Sequence, residues 1–307
     1  MKVSAIHVYH APLAEVRAAF AKLDPSRTLV EATGPAALAE AEVVFTAVPP
    51  PGSFVEARRL RLVQGMGVGV DHFYPDHGGV PDGVPVACAR GVFAEEVAQH
   101  AVGLLLALVL GLPSHLARQA TRTWHPFAHG TLAGRSAVIL GAGATGARIA
   151  AILRALSMQV TVVGRTAREG VVGSERLREV ARGADALVVC CARTPDTRGL
   201  VDAPLLEALA PHAHVINVSR GGIVVEAALL DALERGHLGG AGLDVFDVEP
   251  LPTESPLWTA PNAIVTPHVA GHGRDYVRQM VARLLENVRR LEAGEPLLDV
   301  VDRLRGY

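Results

Sequence analysis

The stretch Ser136–Gly146, which reads SAVILGAGATG, decides the fold of this chain. Ser136–Leu140 is typical of a short apolar strand, and Gly141, Gly143 and Gly146 follow at once, before a helical run. In that context the first glycine permits a tight turn, the second lets the backbone approach a pyrophosphate, and the third lets the helix pack on the strand. Ala144 and Thr145, at the helix start, present unpaired N–H groups that attract phosphates. The stretch predicts a dinucleotide site, with a structural turn as the alternative.

The strand that follows, Gln159–Val163, ends in Gly164-Arg165-Thr166, with Arg168 just beyond. An NAD site usually has Asp or Glu near this point, where the carboxylate holds the ribose hydroxyls. A carboxylate would repel a 2′-phosphate, whereas an arginine binds it through charge-assisted hydrogen bonds. We therefore predict NADP as the preferred cofactor, with NAD possible, bound in part by Arg165, Thr166 and Arg168. For the arginines, ordinary surface charges are the alternative.

The rest of the chain alternates short apolar strands with helical stretches, which predicts α/β units with parallel sheets covered on both faces. The series restarts at residue 136, so we predict two domains, and the last helix, over about 274–293, could return to the first. A long helix is predicted from near Phe93 through Ala101–Leu112, ended or kinked at Leu112-Pro113. Strands are expected at Lys2–Tyr9, Thr28–Ala32, Val43–Val48, Arg61–Gln64, Pro85–Ala89, Ser136–Leu140, Gln159–Val163, Ala186–Cys190, His214–Val218, Gly240–Val245 and Ala263–Val265.

The composition excludes several classes of protein. Of 307 residues, 50% are hydrophobic and 20% are charged, which is not the composition of a disordered chain. The net charge of -2 argues against a general nucleic-acid surface, and the apolar run Ala101–Leu112 is shorter than the roughly 20 residues that cross a bilayer. Three cysteines without paired spacing predict neither disulfides nor a metal site. We expect a soluble, cytoplasmic protein without nucleic-acid, membrane or metal partners.

Three later stretches place an ionisable residue in a Gly- or Pro-containing loop directly after an apolar strand. They are VINVSRGG (215–222) with Arg220, GLDVFDVEP (242–250) with Glu249, and TPHVAG (266–271) with His268. The carboxyl ends of strands line the ligand crevice of an open α/β sheet, so these three side chains are candidates for chemistry. Each of them alone is more often a structural or surface residue.

Together with the glycine fingerprint, these stretches resemble the D-isomer-specific 2-hydroxyacid dehydrogenase family, which includes glyoxylate/hydroxypyruvate reductases. The resemblance also covers GVGVD (67–71), VAQH (97–100) and TPDTRG (194–199), although Gln99 and Ala192 replace the family's usual Glu and Pro. It implies a Rossmann cofactor domain, residues 98–270, inserted into a flavodoxin-like substrate domain formed by residues 1–97 and 271–307. It also implies a homodimer.

The resemblance assigns a role to each of the three candidates. His268 would be the general acid in reduction of a small 2-keto acid to the D-2-hydroxy acid, and Glu249 would pair with it and favour the imidazolium. Arg220 would bind the substrate carboxylate and polarise the carbonyl, a task suited to a planar, permanently charged fork. NADPH would supply the hydride.

Further assignments follow from the resemblance. Backbone N–H groups of Val68 and Gly69 would take the substrate carboxylate, with a plain strand-to-loop turn as the alternative. Asp244 would hold the nicotinamide carboxamide, or else cap a loop. Val218, Ser219 and Cys191 would lie beside the cofactor.

Two other residues of the resembling stretches have less certain roles. Trp124 lies in the connection 121–134, from which related reductases can reach the partner's active site, and packing is its alternative. His100 is expected as a hydrogen-bonded core histidine. An NAD(P)-sensing regulator, similar to corepressors built on the same scaffold, is the alternative function for the whole chain.

Overall fold

The computed structural model describes residues 2–70, 73 and 79–303. The chain forms two compact units, unit 1 from Met1–Phe93 with Gly273–Tyr307, and unit 2 from Ala94–His272. The predicted boundaries after residues 97 and 270 therefore need correction, by four and two residues. The first of them would have cut the opening turn of a helix that begins at Ala94 and belongs as a whole to unit 2.

Unit 1 is built on a parallel sheet. Among its described residues the strands are β1 (Ile6–Tyr9), β2 (Leu29–Ala32), β3 (Val43–Thr46), β4 (Leu62–Gly65) and β5 (Val86–Ala87). Their order is β2-β1-β3-β4-β5, which is the flavodoxin order. The helices of this unit are α1 (Leu13–Leu23) and α8 (Tyr276–Ala293), which contact each other.

The last helix belongs with unit 1 because polar groups tie it there. Asn287 is fully buried on α8, and its side-chain amide donates to Gln64 Oε1 of β4 at 2.8 Å. The same side chain accepts a hydrogen bond from the N–H of Leu298 at 2.8 Å, which holds the segment after the helix. A buried amide needs such partners, so this network specifies where α8 docks.

Unit 2, all of whose residues are described, holds a second parallel sheet of seven strands. The strands are β6 (Ser136–Leu140), β7 (Gln159–Gly164), β8 (Val172–Gly173), β9 (Ala186–Val189), β10 (Ala213–Asn217), β11 (Leu238–Leu243) and β12 (Ala263–Val265). The helices are α2 (Ala94–Val109), α3 (Leu112–Ala120), α4 (Ala144–Ala155), α5 (Leu177–Ala181), α6 (Ala203–Ala208) and α7 (Glu226–Glu234). The order β8-β7-β6-β9-β10-β11-β12 is the Rossmann order with one strand added.

The strands of unit 2 bury both faces, as parallel strands between two helix layers must. On β6, Val138 and Leu140 join the core beneath α5, α6 and α7, whereas Ala137 and Ile139 join the core beneath α2 and α4. This alternation follows from the two-residue period of a strand. The prediction of an α/β fold with two parallel sheets is confirmed.

The long helix predicted from near Phe93 was expected to end or kink at Leu112-Pro113, but α2 ends at Val109. Gly111 adopts a left-handed conformation (φ +66°) and separates α2 from α3, whereas Pro113 lies in the first turn of α3. Proline is favoured there because its missing N–H would have no partner inside the helix, so Pro113 starts a helix rather than ending one. Among the described residues no single helix is long and apolar enough to cross a membrane, and α2 with α3, bent by 68°, meet that test only together.

Candidate active site

The strand order of unit 2 brings the three candidate residues together. Arg220 follows β10, Glu249 follows β11 and His268 follows β12, and these strands are neighbours in the sheet. All three strands are parallel, so the three loops leave the same edge. A cluster that spans 49 residues of sequence is thereby assembled on adjacent strands.

His268 and Glu249 form a hydrogen-bonded pair. The imidazole Nδ1 lies 2.7 Å from Glu249 Oε2, and the other carboxylate oxygen accepts the N–H of Phe246 at 2.9 Å. Burial alone would raise the pKa of Glu249, but the hydrogen bonds from His268 and Phe246, with the nearby charges of His268 and Arg220, hold that pKa below its ordinary value. The carboxylate therefore stays ionised at neutral pH and orients the ring.

Arg220 completes the cluster. Its Nη1 donates to the carbonyl of Ser219 at 2.7 Å and lies 3.5 Å from His268 Nε2, at the outer limit of a hydrogen bond. A guanidinium has only donors, so this approach suits an imidazole that carries its hydrogen on Nδ1 and presents a lone pair at Nε2. Nε2 thus faces a fixed cation, which is a group that can bind an anion.

The turn that carries Arg220 is shaped by residues that the sequence did not single out. Asn217 is buried at the end of β10, accepts the N–H of Ser219 at 3.2 Å and donates to the carbonyl of Arg220 at 3.3 Å. A Cβ at Gly221 would lie 1.9 Å from the carbonyl oxygen of Phe246. The loops after β10 and β11 therefore touch backbone to backbone, which only glycine permits.

The glycine fingerprint occupies the turn between β6 and α4. Gly141 has a φ of +135°, and a Cβ at Gly146 would lie 1.8 Å from the carbonyl oxygen of Gly141, so helix and turn are in direct contact. Gly143 differs, because a Cβ there would have no described atom within 4 Å. No described side chain caps the N-terminus of α4, so its first N–H groups have no side-chain acceptor.

The predicted 2′-phosphate residues lie at the end of β7 and are exposed. Arg168 donates to the carbonyl of Ala142 at 2.7 Å, which places its guanidinium against the fingerprint turn itself. Arg165 pairs with Asp196 at 3.2 Å, and Thr166 lies between the two arginines. A Cβ at Gly164 would approach the side chains of Ala142 and Val171 to 2.9 Å, so a carboxylate at that position would require repacking.

Val218, Ser219 and Cys191 are brought together where β9 and β10 end. The Ser219 hydroxyl donates to the carbonyl of Cys191, and Val218 extends the pairing of β10 with β9 through the carbonyl of Val189 at 3.1 Å. Burial raises the pKa of the Cys191 thiol to about 12, which leaves it without nucleophilic character at neutral pH. Cys190 and Cys191 pack into cores on opposite faces of the sheet, and neither is in a disulfide.

Asp244 is almost fully buried, with 1% of its surface exposed, and its carboxylate accepts the backbone N–H groups of Val269 and Ala270, each at 2.9 Å. It also accepts the hydroxyl of Thr266 at 2.6 Å. These contacts correspond to the loop-capping alternative for Asp244. Contact with a cofactor carboxamide remains a prediction.

The remaining predicted positions lie in the loop after β4 of unit 1 and in the connection after α3 of unit 2. Val68 and Gly69 belong to unit 1, in the loop after β4, where the N–H of Ala89 donates to the Gly67 carbonyl at 2.9 Å. Their neighbour Asp71 lies outside the described residues. Trp124 is 96% exposed, so a packing role against the described part of its own chain is wrong.

Comparison with known proteins decides the family. The profile of the "D-isomer specific 2-hydroxyacid dehydrogenase, NAD binding domain" matches residues 102–270, more than half of the chain. The chain is 34% identical over 268 residues to glyoxylate/hydroxypyruvate reductase A of Escherichia fergusonii, a match that covers 84% of this chain and 85% of that protein. This chain belongs to the D-isomer specific 2-hydroxyacid dehydrogenase family.

Solved structures of the family agree. A D-isomer specific 2-hydroxyacid dehydrogenase from Xanthobacter autotrophicus Py2, in complex with NADPH and MES, is 34% identical with a TM-score of 0.87, over 99% of this chain and 100% of that one. An NADPH-dependent glyoxylate/hydroxypyruvate reductase from Sinorhizobium meliloti, in complex with NADP and sulfate, is 31% identical with a TM-score of 0.88, over 99% and 100%. The predictions of this family and of an NAD(P)-dependent oxidoreductase are confirmed.

Proposed function

We propose that this dehydrogenase reduces a small 2-keto acid of the glyoxylate or hydroxypyruvate type to the D-2-hydroxy acid, with NADPH as the preferred cofactor. The observation that carries the proposal is the contact of His268 with both Glu249 and Arg220, at 2.7 and 3.5 Å. An anion binder beside an oriented acid–base group is what reduction of a keto acid needs. The similarity to glyoxylate/hydroxypyruvate reductases supports the substrate class.

When bound, NADPH would supply the hydride for the carbonyl carbon of the substrate. Arg220 binds the substrate carboxylate through its planar fork and draws electron density from the adjacent carbonyl. His268 donates the Nε2 proton to the carbonyl oxygen as charge develops there, while Glu249 holds Nδ1 and stabilises the imidazolium. In the oxidative direction the neutral ring takes the proton back.

The residues around the fingerprint turn fit a dinucleotide. The open space beside Gly143 and the uncapped start of α4 suit a pyrophosphate, and Arg168, with Arg165 and Thr166 close in the chain, suits a 2′-phosphate. We assign Gly141, Gly143 and Gly146 with Ala144 and Thr145 to the pyrophosphate end. Val218, Ser219, Cys191 and, by family resemblance, Asp244 are assigned to the nicotinamide end.

Substitution of the fingerprint glycines should weaken NADPH binding at Gly143 and lower stability at Gly146. Gly143 has extended backbone angles that any residue adopts (φ −86°, ψ −169°), so Gly143→Ala should fold normally yet weaken NADPH binding about tenfold or more by filling the pyrophosphate space. Gly146→Ala should lose about 1–3 kcal/mol of stability through overpacking. Thermal unfolding measures the change in stability, and fluorescence titration with NADPH measures the change in binding. Equal losses of stability in the two variants would contradict the assignment.

The two arginines should control the choice of cofactor. Arg165→Ala/Arg168→Ala should lower kcat/KM for NADPH by about 10²–10⁴-fold, because each of two charge-assisted hydrogen bonds contributes about 1.5–3 kcal/mol, and should leave kcat/KM for NADH nearly unchanged. Arg235→Ala, which removes an exposed arginine paired with Glu207 and Asp231, is the matched control. A wild-type enzyme that prefers NADH would refute the NADP assignment.

Turnover decides between the proposed reductase and a regulator. We expect oxidation of NADPH with glyoxylate or hydroxypyruvate, followed at 340 nm as about one NADPH consumed per keto acid reduced. Tight NADPH binding without turnover across a broad panel of 2-keto acids would instead favour a cofactor-sensing protein.

We also propose a cytoplasmic homodimer. Helix α2 is largely buried inside unit 2, but the neighbouring segment exposes Leu112, Leu116 and Trp124 by 43%, 63% and 96%. Apolar groups that are exposed together mark a protein interface, so α3 and the connection after it are the stronger candidates. The three free cysteines fit a reducing compartment.

A further inference from the structure

The turn that presents His268 has an unusual backbone. His268 adopts the left-handed region, with a φ of +53°, and its N–H donates to the carbonyl of Thr266 at 3.0 Å. Residues other than glycine rarely adopt this conformation, and they persist in it only where surrounding contacts hold them. The geometry of His268 therefore depends on what fastens the turn 266–270.

Asp244 holds that turn through three hydrogen bonds. Its buried carboxylate accepts the hydroxyl of Thr266 before His268 and the N–H groups of Val269 and Ala270 after it. A carboxylate has about four acceptor positions, so most of its capacity is engaged by this one turn. The donors lie on both sides of His268 in the chain, which clamps the residue between them.

His100 extends the network to α2. Its Nε2 lies 3.0 Å from the hydroxyl oxygen of Thr266 and 3.6 Å from Asp244 Oδ1. Because the Thr266 hydroxyl donates its one hydrogen to Asp244, its oxygen must accept from His100, which requires the hydrogen of that ring on Nε2. His100 therefore donates a hydrogen bond to Thr266, and Thr266 donates one to Asp244.

We propose that His100 and Thr266 are positioning residues that, through Asp244, hold the turn 266–270 and aim the ring of His268. The proposal rests on the proposed function, in which His268 transfers the proton. A small displacement of an acid–base group costs much of its effect, so loosening the turn lowers the rate of the chemical step. Because Asp244 is also assigned to the nicotinamide end of the cofactor, the proposal requires a loss of kcat that exceeds any change in the Kd for NADPH.

Paired variants test this. Thr266→Val removes the hydroxyl at constant shape and His100→Leu removes the ring donor, whereas Thr266→Ser and His100→Gln keep both hydrogen bonds within reach. The first two should lower kcat with glyoxylate by about tenfold to 100-fold, a larger factor than any change in the Kd for NADPH. The conservative variants should restore kcat. Amide hydrogen exchange at Val269 and Ala270 should accelerate in Thr266→Val and not in Thr266→Ser.

Three results would overturn the proposal. They are an unchanged kcat in Thr266→Val despite faster exchange, a weakened Kd for NADPH as the main effect, and the same loss in Thr266→Ser as in Thr266→Val. Absence of turnover in the wild-type protein would refute the proposed function instead. In that case the exchange rates of Val269 and Ala270 alone decide whether the network holds the turn.

Discussion

His268→Gln is expected to lower kcat for reduction by about 10²–10⁴-fold, the contribution usual for a positioned acid–base group. Glutamine keeps the size of the ring and can still donate to Glu249, but it has no proton to transfer. Because the pKa of Glu249 lies below its ordinary value of 4.5, that carboxylate is ionised in the whole neutral range. The loss of activity in the variant should therefore reflect the missing general acid and not a change in the charge of Glu249.

The measurement is kcat and kcat/KM for glyoxylate from pH 5 to 9, with NADPH saturating, alongside the Kd for NADPH. His237→Gln is the matched control, since His237 contacts the Leu206 carbonyl at 3.1 Å, away from the strand ends that carry the cluster. A second imidazole, His272, lies close to His268, and burial followed by the charge of His268 lowers its pKa. A His268→Gln variant that retains full activity would disprove the assigned role, whether or not His272 is also replaced.

Arg220→Ala should lower kcat/KM for glyoxylate by about 10²–10⁴-fold, because two hydrogen bonds to a carboxylate contribute roughly 3–6 kcal/mol. Arg220→Lys should recover only part of this loss, since an ammonium group keeps the charge but not the planar fork. NADPH affinity should not change.

Chemical rescue makes the test of Arg220 specific. Added guanidinium should restore part of the activity of Arg220→Ala and none of the activity of His268→Gln, because only the first variant has room for the missing group. The control is Arg235→Ala, because Arg235 is the residue that follows the C-terminal end of α7. If KM for glyoxylate and kcat both stay at wild-type values in Arg220→Ala, the substrate carboxylate binds elsewhere.

Much of the fold was predictable because its signals are local. The glycine turn lies between β6 and α4 as predicted, and Ser136–Leu140 and Ala263–Val265 match their strands at both ends. The predicted ends of strands and helices were less accurate where long-range contacts decide them. The two-residue strand β8 (Val172–Gly173) has no apolar run of its own and exists only because it pairs with β7.

The site residues divide in the same way. Arg220, Glu249 and His268 were identified as ionisable residues at strand ends, and the structure brings them together. Asn217 and Gly221 were not identified, since a buried amide and one more glycine carry no distinctive pattern. Their importance comes from the loops that they touch.

The sequence by itself determined the alternation of strands and helices, the phosphate-binding turn and the identity of the chemical groups. Each of these depends on neighbouring residues, through apolar periodicity, backbone freedom and side-chain chemistry. Only the tertiary structure decided that β10, β11 and β12 are adjacent, that Asp244 clamps the turn of His268, and that His100 reaches it from α2. These contacts join residues up to 166 positions apart, and packing of the whole sheet, not any local pattern, sets them.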